Sequence, residues 1–475
     1  MASLDIPSAS TAQLDALKEL KSSFTLTTDR LHRIVEGFVH SMNEGLEKDG
    51  KNLAMIPSYV KTRPTGDEKG TYLALDLGGT NLRVCEVSLK GDSQFDIVQQ
   101  KFTIPQAIKH SNARTFFDWI ADCVSVFLTD HDKEPSPTGL DIPLGFTFSF
   151  AVAQSSINRG TLIMWNKGFT VEGVVGRDVV LLLQDALKRK HLRVSVAALV
   201  NDTVGALMTS AYQHPSSLMG VIFGTGTNAA YFEKAGRIPK WIQSADGARD
   251  AADVDEMVIN MEWGGFDNDK DVLPLTFFDN GVDRETQNPG KQIFEKMISG
   301  LYLGEVTRKV LLHLVDRRLL FNGRSSTELN QPYSFDTAYM STIVADETPD
   351  LADTQYTLES VLLLPPTTPA DRAMVKAVCY MLGLRAARLS AAALASVLTV
   401  RKDVLSASKT TIGIDGSMYE FYPSFERFLM EAMAEILGEK LAQNIHTTLS
   451  KDGSGVGAAI VAMVADKQRE MFGHN

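Results

Sequence analysis

Cysteine is scarce: Cys85, Cys123 and Cys379 are the only three in 475 residues, and they lie far apart. So few, in odd number, exclude a disulfide framework; three reduced, buried thiols in a cytosolic (cytoplasmic) chain are the simplest expectation. Positive charge is in deficit, with 47 Lys+Arg against 58 Asp+Glu and a net charge of −11. That balance disfavours broad binding to nucleic acid or to anionic membrane, both of which need a positive face. Long apolar runs are missing as well. The stretch 391-AAALASVLTV-400 falls well short of the roughly 18–20 residues that span a bilayer. The opening MASLDIPSAS has no basic stretch followed by an apolar one, so no secretory leader is expected. What remains is an ordinary folding composition, 44% hydrophobic and 22% charged, on a chain long enough for two domain-sized cores.

The pattern opens helical over 11–50, with apolar residues at three- and four-residue spacing and Gly50 as a stop. A polar stretch with Pro and Gly, 61–70, reads as a loop. Then 71-TYLALDLGGTNLRVCEVSL-89 switches to two short strands around Gly78-Gly79-Thr80-Asn81, a hairpin signal. Helices near 113–129 and 176–190 alternate with strands at 142–149 and 192–200, which predicts a layered α/β domain. The series restarts with a helix near 203–213 and a second hairpin, 219-MGVIFGTGTNAAYFE-233. Long helical patterns fill 290–321, 370–400 and 423–445. A final helix near 455–471 follows DGSGVGAA (452–459), where small residues suggest close packing. Setting Gly79-Thr80-Asn81 on Gly226-Thr227-Asn228 suggests a pseudo-duplicated fold with two hairpins facing one ligand. Asp76 then falls opposite Phe223, so only one hairpin brings a carboxylate.

Glycines at such turns let backbone N–H groups converge on phosphate oxygens, and Thr80 adds a hydroxyl. Asp76 is placed to hold Mg²⁺ through water, and Arg83 to neutralise phosphate charge. The bland alternative is a plain hairpin turn; no G-x-x-x-x-G-K-[ST] loop occurs. The second turn, with Thr225 and Gly226, favours a phosphate clamp. Asn201-Asp202-Thr203 lies at a strand-to-helix junction, where Asp202 or Thr203 reads as a helix cap and the Asp202 carboxylate, alternatively, as a base for a substrate hydroxyl. Alone, Glu262 and Glu295 read as surface acids.

The motifs LALDLGGTNLRV (73–84), LGFTFSF (144–150), LVNDTVGAL (199–207), FGTGTNAAY (223–231), NMEWGGF (260–266), NPGKQIFEK (288–296) and IDGSMYEFYPSF (414–425), with DGSGVGAA, resemble the eukaryotic hexokinases over roughly 20–470. The single-unit length is similar to the fungal glucokinase/hexokinase type of about 50 kDa. The resemblance implies an actin-like ATPase (ribonuclease H-like) α/β fold whose small and large domains close on a hexose. It implies an N-terminal helical segment, 1–68, packing on the large domain. The small domain is then 69–200 with the C-terminal helix at about 453–470, and the large domain 201–452.

The resemblance also implies that Asp202 is the general base, that Ser149, Asn166, Lys167, Asn201, Asn228, Glu262 and Glu295 contact the sugar, and that Lys167 and Arg83 assist transfer. Asp76, Gly78, Gly79, Thr80, Asn81, Arg83, Thr225, Gly226, Gly413, Gly416 and Ser417, with Asp415, would then face ATP and Mg²⁺. Expected partners are a hexose, D-glucose first, and ATP; monomer and homodimer stay open. Family members often carry Pro at Ala151, Thr at Asn166 and basic residues at Glu420 and Val456, departures that bear on sugar preference and ATP affinity. The rival expectation is a weakly active or non-catalytic sugar sensor of the same fold; a third, an ATPase without a sugar site, fits the sugar-contact set poorly.

Overall fold

The computed structural model describes residues 6, 8–133, 140–165, 168–407, 409–450 and 453–472. Two helices open the chain, α1 (Thr11–Phe24), begun by a Ser10–Gln13 capping box, and α2 (Thr28–Glu47), capped by Thr27. The single helical stretch expected over 11–50 is therefore broken at 25–27, where Thr25 and Thr27 are extended. After the short β1 (Ile56–Pro57) comes a meander, β2 (Lys69–Leu77), β3 (Asn81–Gly91) and β4 (Gln94–Thr103). Helix α3 (Ala113–Asp130) returns the chain to β5 (Ile142–Phe148). A separate hairpin, β6 (Ala151–Ser156) and β7 (Arg159–Met164), leads to α4 (Val179–Arg189) and β8 (Val194–Val200). The sheet runs β4-β3-β2-β5-β8, with β2, β3 and β4 antiparallel and β5 and β8 parallel to β2. Strand alternation decides its two faces. Leu73, Leu75 and Leu77 join the core under α3 and α4, while Ala74 and Asp76 point the other way.

The second half repeats that plan. After α5 (Asp202–Gln213) come β9 (Ser217–Phe223), β10 (Thr227–Lys234) and β11 (Glu256–Asn260). A helical stretch includes α6 (Ile293–Ile298), α7 (Gly300–Asp316) and the 32-residue α8 (Pro369–Val400). Then β12 (Thr410–Asp415), α9 (Phe425–Leu437), β13 (Ile445–Leu449) and α10 (Gly453–Phe472) complete the chain. The order β11-β10-β9-β12-β13 and its strand directions match those of the first sheet, with β1 added at the edge. The closing helices are exchanged: α5 follows the first sheet but packs on the second, and α10 follows the second but packs on the first. They cross where a Cβ on Gly457 would lie 2.0 Å from the Gly205 carbonyl oxygen.

Two long helical expectations break. The 290–321 stretch divides at Ser299, which is extended (φ −87°, ψ 156°). The 423–445 stretch stops at Leu437 because Gly438 turns left-handed (φ 83°), and residue 445 already begins β13. Among the described residues, α8 is long and apolar enough to cross a membrane by length and composition, yet 89% of its most apolar window is buried inside the protein. Its C-terminal part is the 391–400 run, so the apolar helix is longer than that run suggested. Cys85, Cys123 and Cys379 are buried and outside any disulfide, and burial pushes the Cys123 thiol up to about 12.

Candidate functional site

The ungapped overlay of the two hairpins fails by one residue. The first turn is closed by Leu77 opposite Leu82, leaving four residues, 78–81; the second by Phe223 opposite Thr227, leaving three, 224–226. In the second sheet a carboxylate stands one strand over, at Asp415, in register with Ile222. Phe223 instead packs between Trp263 and Phe425.

The first turn faces the start of α10. Asp76 accepts a hydrogen bond from the Ser454 hydroxyl at 2.9 Å, and Arg83, its cross-strand partner, stands 3.9 Å away. The Asp76 side chain is only 15% exposed. Thr147, in register with Asp76 on β5, ties its hydroxyl to the Ser454 carbonyl at 3.1 Å. Gly78, Gly79 and Asn81 are half-buried and Thr80 exposed at the tip. No group of three or more His, Cys, Asp or Glu side chains converges among the described residues. One carboxylate beside a glycine turn suits a cation that keeps most of its ligands as water and phosphate, which is how Mg²⁺ is commonly held.

At the mouth of the second sheet, side chains from four elements meet. Asn201 caps α5: its Oδ1 accepts from the Thr203 N–H at 3.0 Å and the Thr203 hydroxyl at 2.6 Å. Asp202 Oδ1 accepts the same Thr203 N–H at 2.8 Å, so the capping role weighed for Asp202 is shared with Asn201, and Thr203 is the donor. Asp202 occupies the first helical position, half-buried, where the helix dipole favours a negative charge. Asn228, second residue of β10, donates to Asn260 Oδ1 at 2.8 Å and to Glu262 Oε1 at 3.3 Å. Glu262 has a left-handed backbone (φ 52°, ψ 47°), which costs a non-glycine residue about 1 kcal/mol. Glu295, on the short α6, accepts the Thr227 N–H at 3.0 Å. Trp263 donates its indole N–H to the Thr227 hydroxyl at 2.9 Å, fixing the same strand end. Both acids are half-buried and joined to β10, not spread on the surface as their bare sequence suggested. The half of the turn after Gly226 is therefore committed to holding Glu295.

Ser149 follows β5, half-buried, beside an aromatic cluster of Phe148, Phe150, Trp165 and Phe169. Asn166 and Lys167 lie outside the described residues. Ala151 opens β6, and Val456 is buried in α10.

A cavity of about 650 Å³ opens from the second turn. Thr225 and Ser417 line it, with Gly300, Tyr333, Phe335, Thr337 and Ser341, the last five unmarked by the sequence reading. The Thr337–Ser341 spacing on a helix capped by Asp336 was the available signal. The cavity wall is tied together by backbone: Gly300 and Leu301, opening α7, donate N–H groups to the carbonyls of Gly224 and Thr225. Gly416 holds φ 124°, and a Cβ there would lie 2.3 Å from the Phe223 carbonyl oxygen, so the Gly416–Ser417 step fits only as glycine. Gly413 is different. It is buried within β12, and a Cβ would meet the Ser210 side chain of α5 at 2.5 Å; its glycine serves helix–sheet packing. Glu420 is exposed on the helix after Ser417.

Comparison with known proteins bears on the family and the fold. The two halves of the Hexokinase family pattern match residues 16–212 and 218–464. The chain is 41% identical to Hexokinase-1 of Schizosaccharomyces pombe, over 96% of this chain and 92% of that protein. It is 40% identical to Glucokinase of Aspergillus niger, over 97% and 98%. A solved hexokinase from Schistosoma mansoni, in complex with glucose, superposes with a TM-score of 0.83 at 35% identity, over 96% and 99% of the two chains. On its doubled sheet plan, its site and these full-length likenesses, the chain belongs to the hexokinase family of sugar kinases.

Proposed function

We propose that the protein transfers the γ-phosphoryl group of ATP to the 6-hydroxyl of a hexose, D-glucose first, at the entry step of glycolysis. The observation that carries this reading is the meeting of Asn201, Asp202, Asn228, Glu262 and Glu295 at one end of the second sheet. Thr225, two residues before the strand end that holds Glu295, opens into the 650 Å³ cavity. Carboxylates and amides in that density suit hydroxyl groups that each donate and accept. Residues 69–200 with α10 would form the small domain and 201–452 the large one, closing on the sugar to exclude water.

In this mechanism Asp202 takes the proton of the sugar 6-hydroxyl as that oxygen attacks phosphorus in line. Asp202 sits in the first turn of α5, whose positive end favours the negative carboxylate, and Asn201 keeps that helix start fixed. The glycine turn at 78–81 and Arg83 receive phosphate oxygens, while the cavity beside Thr225 and Ser417 takes the base and ribose. Asp76 would hold a Mg²⁺ ion through water, and that ion would supply charge neutralisation on the phosphates. Three buried thiols outside any disulfide support a cytoplasmic location; the enzyme would work there as a monomer or homodimer. The test is ADP release measured with a panel of hexoses and a no-sugar control. Glucose-dependent release is expected; fast release without sugar, or none with any hexose, would overturn the reading.

A further inference from the structure

The buried amide of Asn260 lies between two side chains assigned to the sugar, and its hydrogen bonds leave it one orientation. Asn228 Oδ1 is claimed by the Ala229 N–H at 2.7 Å and faces the Trp263 N–H at 3.4 Å. Its Nδ2 must therefore point toward Asn260, whose Oδ1 accepts at 2.8 Å. Asn260 is then left with Nδ2 facing Glu262, and it donates to Oε1 at 2.8 Å. The Glu262 N–H closes the ring by pointing back at Asn260 Oδ1, 3.4 Å away. Asn228 Nδ2 has further acceptors in Glu262 Oε1 at 3.3 Å and Thr203 Oγ1 at 3.5 Å. Thr203 in turn bonds Asn201, so three proposed sugar contacts from three elements are joined through two buried residues.

Two further facts make Asn260 the fixed member. It is 6% exposed, so water has little access to replace its bonds. Its backbone is the last residue of β11, an interior strand, in register with Ala230 on one side and Ile56 on the other. The position needs an acceptor toward Asn228 and a donor toward Glu262. A carboxylate supplies only the first, and an aliphatic side chain neither.

We propose that Asn260 is a positioning residue for hexose binding, holding the Asn228 amide and the Glu262 carboxylate in the orientation in which they receive the sugar hydroxyls. This rests on the hexose-kinase reading above. Asn260 does not itself touch the reacting atoms; it acts through its two neighbours.

The test is steady-state kinetics of Asn260→Ala and Asn260→Asp, with thermal melts of both. Asn260→Asp keeps the size and the acceptor but sets a second carboxylate against Glu262, and it carries the test if the alanine variant fails to fold. The expected result is a KM for glucose raised about tenfold or more, equivalent to about 1.4 kcal/mol, with the aspartate variant worse than alanine. The kcat at saturating glucose and the KM for ATP should stay within about threefold of wild type. A merely structural role would lower the melting temperature and the active fraction, hence kcat, without moving KM. That pattern, or an unchanged KM for glucose in the folded aspartate variant, overturns the inference alone. Wild-type protein with no glucose-dependent ADP release overturns the hexose-kinase reading and this inference with it.

Discussion

Asp202 illustrates how a structure separates two roles that a triplet of letters leaves mixed. A carboxylate opening a helix invites a capping explanation, and Asp202 does accept the Thr203 N–H at 2.8 Å, but Asn201 accepts the same N–H at 3.0 Å and keeps the helix start capped without it. What Asp202 adds to stability is its charge at the first helical position, about 0.3–1 kcal/mol, and a share of one N–H bond that Asn201 retains in its absence. Asp202→Ala should therefore remain folded, with its melting temperature little changed. Turnover should fall by about 10²–10⁴-fold, the usual loss when a positioned base is removed. Glucose should still bind, because Asn201, Asn228, Glu262 and Glu295 remain; tryptophan fluorescence reads this out, Trp263 being next to Glu262. A rate within a few-fold of wild type would refute the base assignment. A sensor predicts something else: little ADP release from wild type, and no further loss in the variant.

Among the elements, the short helix α6 leans on a buried charge pair. It has only six residues, Ile293–Ile298, and its N-cap residue Gln292 is left-handed with no side-chain capping bond. Its anchor is Lys296, whose side chain is 4% exposed and donates to Asp283 at 2.8 Å and to the Asn288 carbonyl at 2.8 Å. Asp283 also accepts from Lys270 at 2.7 Å and from the Gly290 N–H at 2.9 Å. Burial works to raise the Asp283 pKa, but these lysine and backbone hydrogen bonds outweigh it and hold the carboxyl below its ordinary value. A depressed folded pKa means stabilisation present in full above the unfolded value, near about 3.9, and lost as pH falls through the folded value. Asp283→Asn leaves Lys296 buried without its counter-charge, a loss of about 3–5 kcal/mol. Because α6 carries Glu295, glucose affinity should fall as well, more than ATP affinity. Melts from pH 7 downward should show the gap between wild type and variant closing in acid. A gap constant with pH would mean that the Asp283 charge is not the anchor.

The same element shows where sequence patterning stops. Apolar spacing located the helices that pack on one wide face, such as α3, α4 and α5, to within a few residues. It ran α6 and α7 together, because Ile293, Phe294, Met297 and Ile298 continue the helical spacing across the break. The break is made by tertiary contact: the Gly300 N–H turns to the Gly224 carbonyl. The site divides likewise. Residues carried by glycine turns or by the N-D-T triplet stood out, and Glu262 and Glu295 entered through family likeness. Asn260 at the end of an apolar strand carries no local signal, and the cavity residues Tyr333 to Ser341 offer only the Thr337–Ser341 spacing, because their role exists only once distant strands and helices meet.

At the scale of the molecule, the duplication guessed from two turns is written in the sheets, which share strand order and direction although their turns differ by one residue. What joins the halves is the exchange of α5 and α10, whose backbones touch near their starts. A Cβ on Gly457 would lie 2.0, 2.3 and 2.3 Å from the O, C and Cα of Gly205, all backbone atoms that no rotamer change can move. Two residues earlier, a Cβ on Gly455 would meet only the Cys85 sulfur, at an ordinary 3.5 Å. The two glycines should therefore respond with opposite sign. Gly455→Ala gains helix preference, worth up to about 1 kcal/mol, and should leave the melting temperature equal or higher. Gly457→Ala gains the same preference but must drive the helices apart, an overpacking cost of about 1–3 kcal/mol or more. Since each helix packs on the sheet of the opposite half, that cost should appear as one cooperative transition at lower temperature, not as early melting of one half. Calorimetry of the two variants side by side checks this. Equal melting temperatures for both would mean that the crossing tolerates separation and that the halves are held together elsewhere.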